Sequence, residues 1–412
     1  MSDVVVFERR GRVGIIWVDS PPVNALSQAV RQGLTEALVR ALAEPEVHAI
    51  VLAGKGRTFI AGADITEFGK VPKPPSLLDL IARYEASDKP IVAALHGTTL
   101  GGGLEVALGC HYRVAAADAK CGQPEVKLGI LPGAGGTQRL PRLIGVARAL
   151  EMIVSGTPIG AKEAKELGLV DAIAEGDLVT AAVAFADRVV DHRPLPRVRD
   201  LSGHIEQAKR DMSFFDKARK DATAHARGGI APLRCIDAVR AAVDLPFEEG
   251  LKREQVLFEE ALKSTESAAL RHVFFAERQA AKIPDIDPST PVLAVRSVAV
   301  LGAGTMGSGI ATAFANAGIA AMLVDREQGF VDKGLETIRK NYAATVAKGR
   351  LAQSEMDARL SRITATTSWD GLGEADLVIE AVFEEMALKK EIFGKLDRLC
   401  RKDAILATNT ST

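Results

Sequence analysis

Residues 91–105 read Ile-Val-Ala-Ala-Leu-His-Gly-Thr-Thr-Leu-Gly-Gly-Gly-Leu-Glu. The apolar start of this stretch is typical of a buried strand, and the glycines at 101–103 open a run that is typical of an apolar helix. A glycine run at a helix start presents free backbone N–H groups with the positive end of the helix dipole behind them. We therefore predict an α/β fold in which this turn stabilises an oxyanion, with Glu105 close behind it.

A second glutamate and a second loop extend this predicted site. Glu125 follows Gly122-Gln123-Pro124 and precedes the glycine cluster at 133–136, while the loop at 58–64 offers another backbone N–H. Either glutamate alone is more often a solvated surface acid, and the glycines alone are consistent with simple turns. Together, the two acids suit a general acid and a general base that act on a bound water. No serine, cysteine or histidine stands in an obvious nucleophile motif, so covalent catalysis is the weaker hypothesis.

Residues 302–307, Gly-Ala-Gly-Thr-Met-Gly, form a third glycine signature. A compact apolar strand at 297–301 precedes it, a helix of small residues follows, and a second strand at 320–324 ends at an acid. In dinucleotide-binding folds an acid at this spacing binds the ribose 2′-hydroxyl, and its charge repels the extra phosphate of NADP. The sequence therefore predicts an NAD site at Gly302, Gly304, Thr305, Met306, Gly307 and Asp325.

Stretches rich in proline and glycine divide the chain into three predicted segments. The 412 residues of the chain exceed what one hydrophobic core usually supports. We predict an α/β domain at 1–191, a helical linker at 192–291 with a break near 245–247, and a partial dinucleotide domain at 292–412. The proline-rich stretch at 284–291 ends the helices, because each proline removes a donor and disfavours helix before it.

Composition and charge exclude several classes of function. Lysine and arginine number 52 against 53 acids, and the resulting net charge of −1 gives no basic field for nucleic acid. No apolar run reaches the ~18 residues of a membrane span, and the four cysteines lack metal-ligand spacing. We therefore expect no nucleic-acid partner, no membrane insertion and no metal. The acidic start is unlike a signal peptide, so we expect a soluble, intracellular protein.

Four ordered motifs resemble the enoyl-CoA hydratase/isomerase (crotonase) family. They are residues 21–26, 59–65, 101–105 and 122–140. The resemblance implies a crotonase (ββα-spiral) domain that takes a trans-2-enoyl-CoA, so that coenzyme A enters as part of the acyl-CoA substrate. It also implies that the N–H groups of Ala63 and Gly102 bind the thioester oxygen, with Asp64 and Ile65 beside the substrate.

The same resemblance implies roles for the two acids. Glu105 would activate the water and Glu125 would protonate C2, which gives syn hydration to a 3-hydroxyacyl-CoA. Family members with only isomerase or hydrolase activity often lack one of these acids, so both together favour a hydratase, with Δ3,Δ2-enoyl-CoA isomerisation as a further activity. A crotonase-fold isomerase or thioester hydrolase is the alternative, and a non-catalytic acyl-CoA- and NAD-binding module is another.

The stretches 376–385 and 407–411 resemble the NAD domain of 3-hydroxyacyl-CoA dehydrogenases. That resemblance implies that Glu384 and Lys389 lie on the nicotinamide side and that Ser411 touches cofactor or substrate. The order of hydratase, linker and dehydrogenase resembles the multifunctional enzymes of fatty-acid β-oxidation, of bacterial or peroxisomal type. That resemblance implies a bacterial cytoplasmic or a peroxisomal location, and it is compatible with a thiolase partner and with a monomer or low oligomer. That family's catalytic histidine lies downstream of the Asn-Thr-Ser segment, so we expect no dehydrogenase turnover from this chain.

Overall fold

The chain forms two units in a computed structural model that describes residues 4–225, 229–280, 282–287 and 289–410. Backbone contacts group the described residues up to Ile283 in one unit and those from Pro284 in the other. The predicted domain boundaries after residues 191 and 291 stay predictions. Within the described part of the chain, no helix combines the length and the apolar character that a bilayer crossing requires.

The described residues of the first unit contain two sheets. Their strands are β1 (Val5–Arg10), β2 (Val13–Val18), β3 (Ala49–Gly54), β4 (Ile91–Leu95), β5 (Thr98–Leu100), β6 (Tyr112–Ala115), β7 (Lys120–Gly122), β8 (Ile159–Gly160) and β9 (Ala172–Ile173). The larger sheet has the order β1-β2-β3-β4-β6-β9 and is antiparallel only between β1 and β2, while β5, β7 and β8 form the smaller one. Because β3 and β4 are parallel, the loops that follow them leave the same edge of the sheet.

Helices cover these sheets on both faces. The first seven are α1 (Gln28–Ala43), α2 (Leu77–Glu85), α3 (Gly102–Gly109), α4 (Gly136–Ile144), α5 (Val146–Ser155), α6 (Ala161–Glu166) and α7 (Leu178–Val189). Successive side chains of β3 alternate in direction, so Ile50 and Leu52 belong to one hydrophobic cluster and Val51 to another. The second cluster includes Ala182 and Ala186 of α7. Burial on both faces explains why β3 is continuously apolar.

The segment predicted as a linker folds onto this unit. Its helices are α8 (Gly203–Ala208), α9 (Ser213–His225), α10 (Ala231–Asp244), α11 (Phe247–Leu262) and α12 (Thr265–Ala280). The break between α10 and α11 lies at Pro246, which cannot donate the backbone hydrogen bond that a continuous helix needs. Ile236 and Val239 of α10 share the main core of the first unit with Leu140 of α4. These helices are therefore part of the first unit's packing.

The second unit is built on a parallel sheet. Its elements are β10 (Ser297–Leu301), α13 (Thr305–Asn316), β11 (Ala320–Val324), α14 (Gln328–Ala347), α15 (Gln353–Leu360), β12 (Ile363–Thr366), β13 (Leu377–Glu380), α16 (Met386–Leu399) and β14 (Ile405–Thr408). The strand order is β12-β11-β10-β13-β14, and every pairing is parallel. This order reverses direction beside β10, where dinucleotide folds bind their ligand.

Candidate active site

Two backbone amides meet beyond the carboxyl ends of the parallel strands β3 and β4. After β5 the chain turns at Gly101, whose φ of +52° favours glycine, and α3 begins at Gly102. An ideal Cβ on Gly102 would lie 3.3 Å from the backbone nitrogen of Ala63. Among the hydrogen bonds of the described residues, neither amide donates to a protein acceptor. Both donors are therefore available to one ligand oxygen.

Asp64 and Ile65 follow the first of these amides, and both are half-buried. Asp64 caps a short 3-10 turn, because its carboxylate accepts from the N–H of Thr66 at 2.9 Å and from its hydroxyl at 2.7 Å. The carboxylate of Asp64 thus fixes the loop that presents the Ala63 amide.

Glu105 lies in the first turn of α3 and is only 3% exposed. Its Oε1 accepts hydrogen bonds from the N–H groups of Ala134 at 2.7 Å and Gly136 at 2.8 Å. Burial raises the pKa of Glu105, while these two N–H groups and the guanidinium of Arg139 act against the rise. The bound donors favour the ionised form, so this acid keeps a basic oxygen inside a buried site.

Glu125 begins a 3-10 turn at Glu125–Leu128 and is half-buried. Burial raises the pKa of Glu125 well above its ordinary value, and the carboxylates of Glu105 and Glu254 raise it further. The fully buried amide of Gln123 lies against it and, with its nitrogen turned toward the acid, donates at 3.0 and 3.2 Å. An ideal Cβ on Gly101 would lie 2.8 Å from Glu125 Oε1, so only glycine leaves room for this carboxylate.

A third buried glutamate, Glu254 of α11, completes the cluster. Its Oε1 accepts from the N–H of Gly135 at 2.6 Å, and its Oε2 accepts from the N–H of Thr137 at 3.0 Å and from the threonine hydroxyl at 2.5 Å. Burial and the Glu105 carboxylate raise the pKa of Glu254 to about 8, although these donors oppose the rise. Three acids therefore share one region without full ionisation of all three at neutral pH.

Cations near this cluster are engaged elsewhere. Among the ion pairs of the described residues, none includes Glu105, Glu125 or Glu254. Arg139 is held by Glu85 through two hydrogen bonds of 3.1 and 2.8 Å, and both side chains are buried. Nor do any three His, Cys, Asp or Glu side chains in the described part of the chain form a group that could hold a metal ion.

The glycine signature of the second unit lies at the end of β10. A Cβ on Gly307 would overlap the carbonyl oxygen of Gly302, and a Cβ on Gly302, at a φ of +104°, would press on the backbone of residue 381. By contrast, a Cβ on Gly304 would meet nothing within 4 Å. Gly304 precedes the first residue of α13, Thr305, and no side chain caps this helix start. A tight turn with open space above a helix N-terminus fits the pyrophosphate of a dinucleotide.

Carboxylates lie at the carboxyl ends of the two strands that neighbour β10. Asp325 follows β11, and its Oδ2 accepts from the N–H of Ala303 at 2.7 Å, so it borders the turn where a ribose would lie. The Nζ of Lys389 lies 3.0 and 2.9 Å from the two carboxylate oxygens of buried Glu380, and 3.4 Å from exposed Glu384. Met306 is 55% exposed, and the predicted contact at Ser411 lies outside the described residues.

Residues 8–225 match the profile described as enoyl-CoA hydratase/isomerase. The chain belongs to this family. Residues 297–412 match the NAD-binding domain of 3-hydroxyacyl-CoA dehydrogenase. The predicted fold class, a crotonase domain joined to a Rossmann-type unit, and the predicted NAD cofactor are confirmed.

Relatives of the hydratase/isomerase family carry both regions in one chain. A peroxisomal bifunctional enzyme of Danio rerio is 44% identical over 405 residues, and that of Homo sapiens is 41% identical over 412 residues. Each alignment covers 97% of this chain but only 55–56% of the relative, so the chain spans about half their length. The crystal structure of a carnitinyl-CoA hydratase from Mycobacterium avium aligns at 32% identity and a TM-score of 0.50, over 68% of this chain and 97% of that one.

Sequence reasoning missed Glu254, Gln123 and Glu380 as members of these sites. Glu254 lies beyond the family match, in a segment that reads as linker. A signal for it was present: the buried residues of α11 are Gly250, Glu254, Leu257 and Ala261, which follow one helical stripe. An acid on an otherwise apolar stripe indicates a partner or a task.

Proposed function

We propose that the first unit hydrates trans-2-enoyl-CoA thioesters to 3-hydroxyacyl-CoA. The observation that carries this proposal is the placement of two acids of raised pKa, Glu105 and Glu125, in the region where the Ala63 and Gly102 amides meet. The amides supply two donors for the thioester oxygen, which becomes anionic as the enolate develops. The acids supply the proton donor and the proton acceptor that adding water requires.

The environments of the two acids support a division of roles. Glu105 accepts two backbone hydrogen bonds, which favour its ionised form, so we assign it as the base. Glu125 has neighbouring carboxylates that favour its protonated form, so we assign it as the acid. Environments that drive two acids apart in pKa are the usual basis of such a division.

The reaction balances with these two groups. Glu105 takes a proton from water as the oxygen bonds to C3, and the electron pair of the double bond moves toward the thioester oxygen held by the two amides. Glu125 then gives its proton to C2, and the two coupled acids exchange one proton to restore their starting state. With both carboxyl groups on the same face of the double bond, the hydroxyl and the proton add to that face, which is syn addition. Isomerisation of a Δ3 to a Δ2 double bond would need no water: one carboxylate would take a proton from C2, the two amides would hold the resulting enolate oxygen, and a carboxyl group would give a proton to C4.

For the whole protein we propose a second step, NAD-dependent oxidation of the 3-hydroxyacyl-CoA. The match to the dehydrogenase NAD domain supports it, and so does the chemistry, since the product of hydration carries the hydroxyl that a hydride transfer would oxidise. NAD would supply the hydride acceptor, held by the turn at 302–307 with Asp325 at the ribose. The names of the relatives support a peroxisomal location. The thiolase partner and the oligomeric state stay predictions.

The experiment compares hydration of crotonyl-CoA by the wild-type chain and by Glu105→Gln and Glu125→Gln, followed as loss of enoyl-thioester absorbance. Each change removes one proton-transfer group while keeping the shape of the side chain, so we expect a rate loss of roughly 10²–10⁴-fold. Glu166→Gln, on the exposed end of α6, is the matched control and should keep the wild-type rate.

Other outcomes point to the alternatives. A wild-type chain that converts a 3-enoyl-CoA but hydrates no 2-enoyl-CoA indicates an isomerase, and release of free thiol indicates a hydrolase. Binding of acyl-CoA without any conversion indicates a binding module. Folded Glu105 and Glu125 variants that hydrate at the wild-type rate would overturn the assignment of the site.

A further inference from the structure

A glutamate beyond the hydratase/isomerase match holds the loop that binds Glu105. We propose that Glu254 of α11 is a positioning residue for the hydration site: it fixes the backbone amides of residues 134–137 so that they hold the Glu105 carboxylate in its working position. This inference rests on the proposed hydratase function. It assigns to the segment predicted as a linker a direct part in organising the site.

The loop 134–137 is held from two sides by two carboxylates. Its even-numbered amides donate to Glu105 at 2.7 and 2.8 Å, and its odd-numbered amides donate to Glu254 at 2.6 and 3.0 Å. A shift of the loop toward either acid would lengthen its bonds to the other. The position of the Glu105 carboxylate is therefore coupled to that of Glu254 through four hydrogen bonds.

Other residues of α11 contact the positions on either side of this loop. The side-chain nitrogen of Gln255 donates to the carbonyl of Gly133 at 2.5 Å, and an ideal Cβ on Gly133 would lie 2.6 Å from the Phe258 ring. A Cβ on Gly250 would overlap the Gln138 side chain. These contacts leave Glu254 little freedom, so its carboxylate reaches the loop from a rigid helix.

The start of α11 is anchored among arginines. The Phe247 ring lies 5.0 Å from the guanidinium carbon of Arg139, 5.1 Å from that of Arg142 and 4.4 Å from that of Arg199. Arg139 is the cation that acts on the pKa of Glu105, and it is also bound to Glu85. Arg139 therefore contacts the start of α11 and also acts on the charge of Glu105.

The chemistry of this position requires a carboxyl group. A buried acid without a cation is costly, and an apolar residue on the α11 stripe would avoid that cost. A carboxyl group, however, brings two oxygens to the loop, and both oxygens of Glu254 accept from its amides. A glutamine would turn its NH₂ toward one of the two amides and lose that bond.

The experiment compares steady-state hydration by the full wild-type chain and by Glu254→Gln, with crotonyl-CoA varied at each pH. We expect kcat to fall by about 10²-fold, as for a reacting group moved slightly out of place, with KM changed much less. We also expect the alkaline limb of kcat/KM to move to lower pH. The groups that face Glu125 are Glu105, Glu254 and the buried thiol of Cys235, and removing the Glu254 charge lowers the pKa of Glu125.

Thr137→Val serves as the milder variant, because it removes only the hydroxyl that donates to Glu254. It should show the same split between kcat and KM at reduced size. Glu259→Gln, on the exposed face of the same helix, is the control and should match wild type.

Three outcomes separate the hypotheses. Wild type that fails to hydrate overturns the proposed function. Wild type that hydrates, with folded Glu254→Gln and Thr137→Val equal to it in kcat and pH profile, overturns the positioning role alone. A Glu254→Gln chain with a lowered melting temperature but unchanged kcat and alkaline limb also overturns it, since that is the result for a purely structural contact.

Discussion

Buried glutamates occur in both units of this protein, and the two units hold them by different means. Glu105 and Glu254 of the first unit accept hydrogen bonds from backbone amides, without a salt bridge among the described residues, and their pKa values are raised. Glu380 of the second unit is bound by Lys389, by the hydroxyl of Thr408 and by the N–H of Val382. Burial acts to raise the pKa of Glu380, but these donors outweigh it and lower the pKa.

The difference shows what each arrangement is suited to do. An acid held by neutral donors, without a cation, keeps a raised pKa, which suits the proton exchange that a general acid or base must perform. An acid paired with a lysine stays ionised, and its contribution is to hold two elements together. The pairing of a buried acid thus separates acids whose pKa is raised from acids that stay ionised within one chain.

The largest test of this contrast removes the cation of the second unit. We expect Lys389→Met to lower the free energy of unfolding of that unit by roughly 3–5 kcal/mol, because it leaves the Glu380 charge buried and unpaired. Lys390→Met, at an exposed neighbouring position, should have little effect. Urea unfolding followed by Trp369 fluorescence, in a chain carrying Trp17→Phe, reports on the second unit. A Lys389→Met chain as stable as the control would contradict the assigned pairing.

A second test uses pH, because the two kinds of acid respond with opposite sign. As pH rises from the ordinary glutamate pKa of 4.5 toward about 8, the unfolded chain releases the Glu254 proton before the folded chain does. The Glu254 contribution to the free energy of unfolding therefore falls with pH, with a limiting slope of about 1.4 kcal/mol per pH unit. Glu380, with its lowered pKa, loses its contribution only as pH falls into the acid range.

The measurement is the difference in unfolding free energy between wild type and Glu254→Gln across this pH window, with Trp17 as reporter and Trp369→Phe in the background. Wild type should lose stability relative to the variant as pH rises. A difference that stays constant with pH would show that Glu254 titrates alike in the folded and unfolded chain.

A third test asks whether the acid that we assign as proton donor costs stability. Its raised pKa means that the folded state disfavours the ionised form of Glu125. We therefore expect Glu125→Gln to raise the free energy of unfolding of the first unit by about 1 kcal/mol at neutral pH while hydration is lost. Thermal unfolding beside the activity assay measures both. A Glu125→Gln chain that is less stable than wild type would contradict the idea that Glu125 lowers the stability of the folded state.

The smallest effect is expected at an exposed acid of the same helix that carries Glu254. Glu259 pairs with Lys263 at 3.1 Å, and both side chains are mostly exposed. We expect Glu259→Gln to change the unfolding free energy by less than about 0.5 kcal/mol, because solvent screens such pairs. Urea unfolding of the two glutamine variants of α11 compares them directly. If Glu259→Gln changed the unfolding free energy as much as Glu254→Gln does, burial would not explain how much each glutamate affects stability.

Local sequence signals predicted much of the fold and of the site. The strands β10 and β11 begin and end at the predicted residues, because apolar runs bounded by glycine and acid mark buried parallel strands well. Glu105 and Gly102 both lie in one short glycine-rich segment that the sequence singles out, and their roles stay predictions. The strand β5, at Thr98–Leu100, was missed because it is short and lies inside that same segment.

What sequence could not supply are the contacts between distant segments. Glu254 meets the loop at 135–137 across nearly 120 residues, and only the docking of α11 shows which face of that helix is buried. The place of Lys389 beside the nicotinamide stays a prediction, and the hydrogen bonds of its ammonium to Glu380 could not be read from the sequence. The sequence singled out Glu384 and not Glu380, because nothing in the local pattern shows which of the two acids is buried.

The hold of α11 on the 134–137 loop has a consequence for how such proteins can be recombined. The stretch of chain that matches hydratase/isomerase ends at residue 225, but the loop whose amides bind Glu105 also donates two backbone hydrogen bonds to Glu254. A graft or gene fusion that joins another module after residue 225 would keep the matched domain but lose Glu254. The segment that must be transferred as one piece is therefore longer than the matched domain. We expect exchange of neighbouring domains to succeed only at junctions beyond α11.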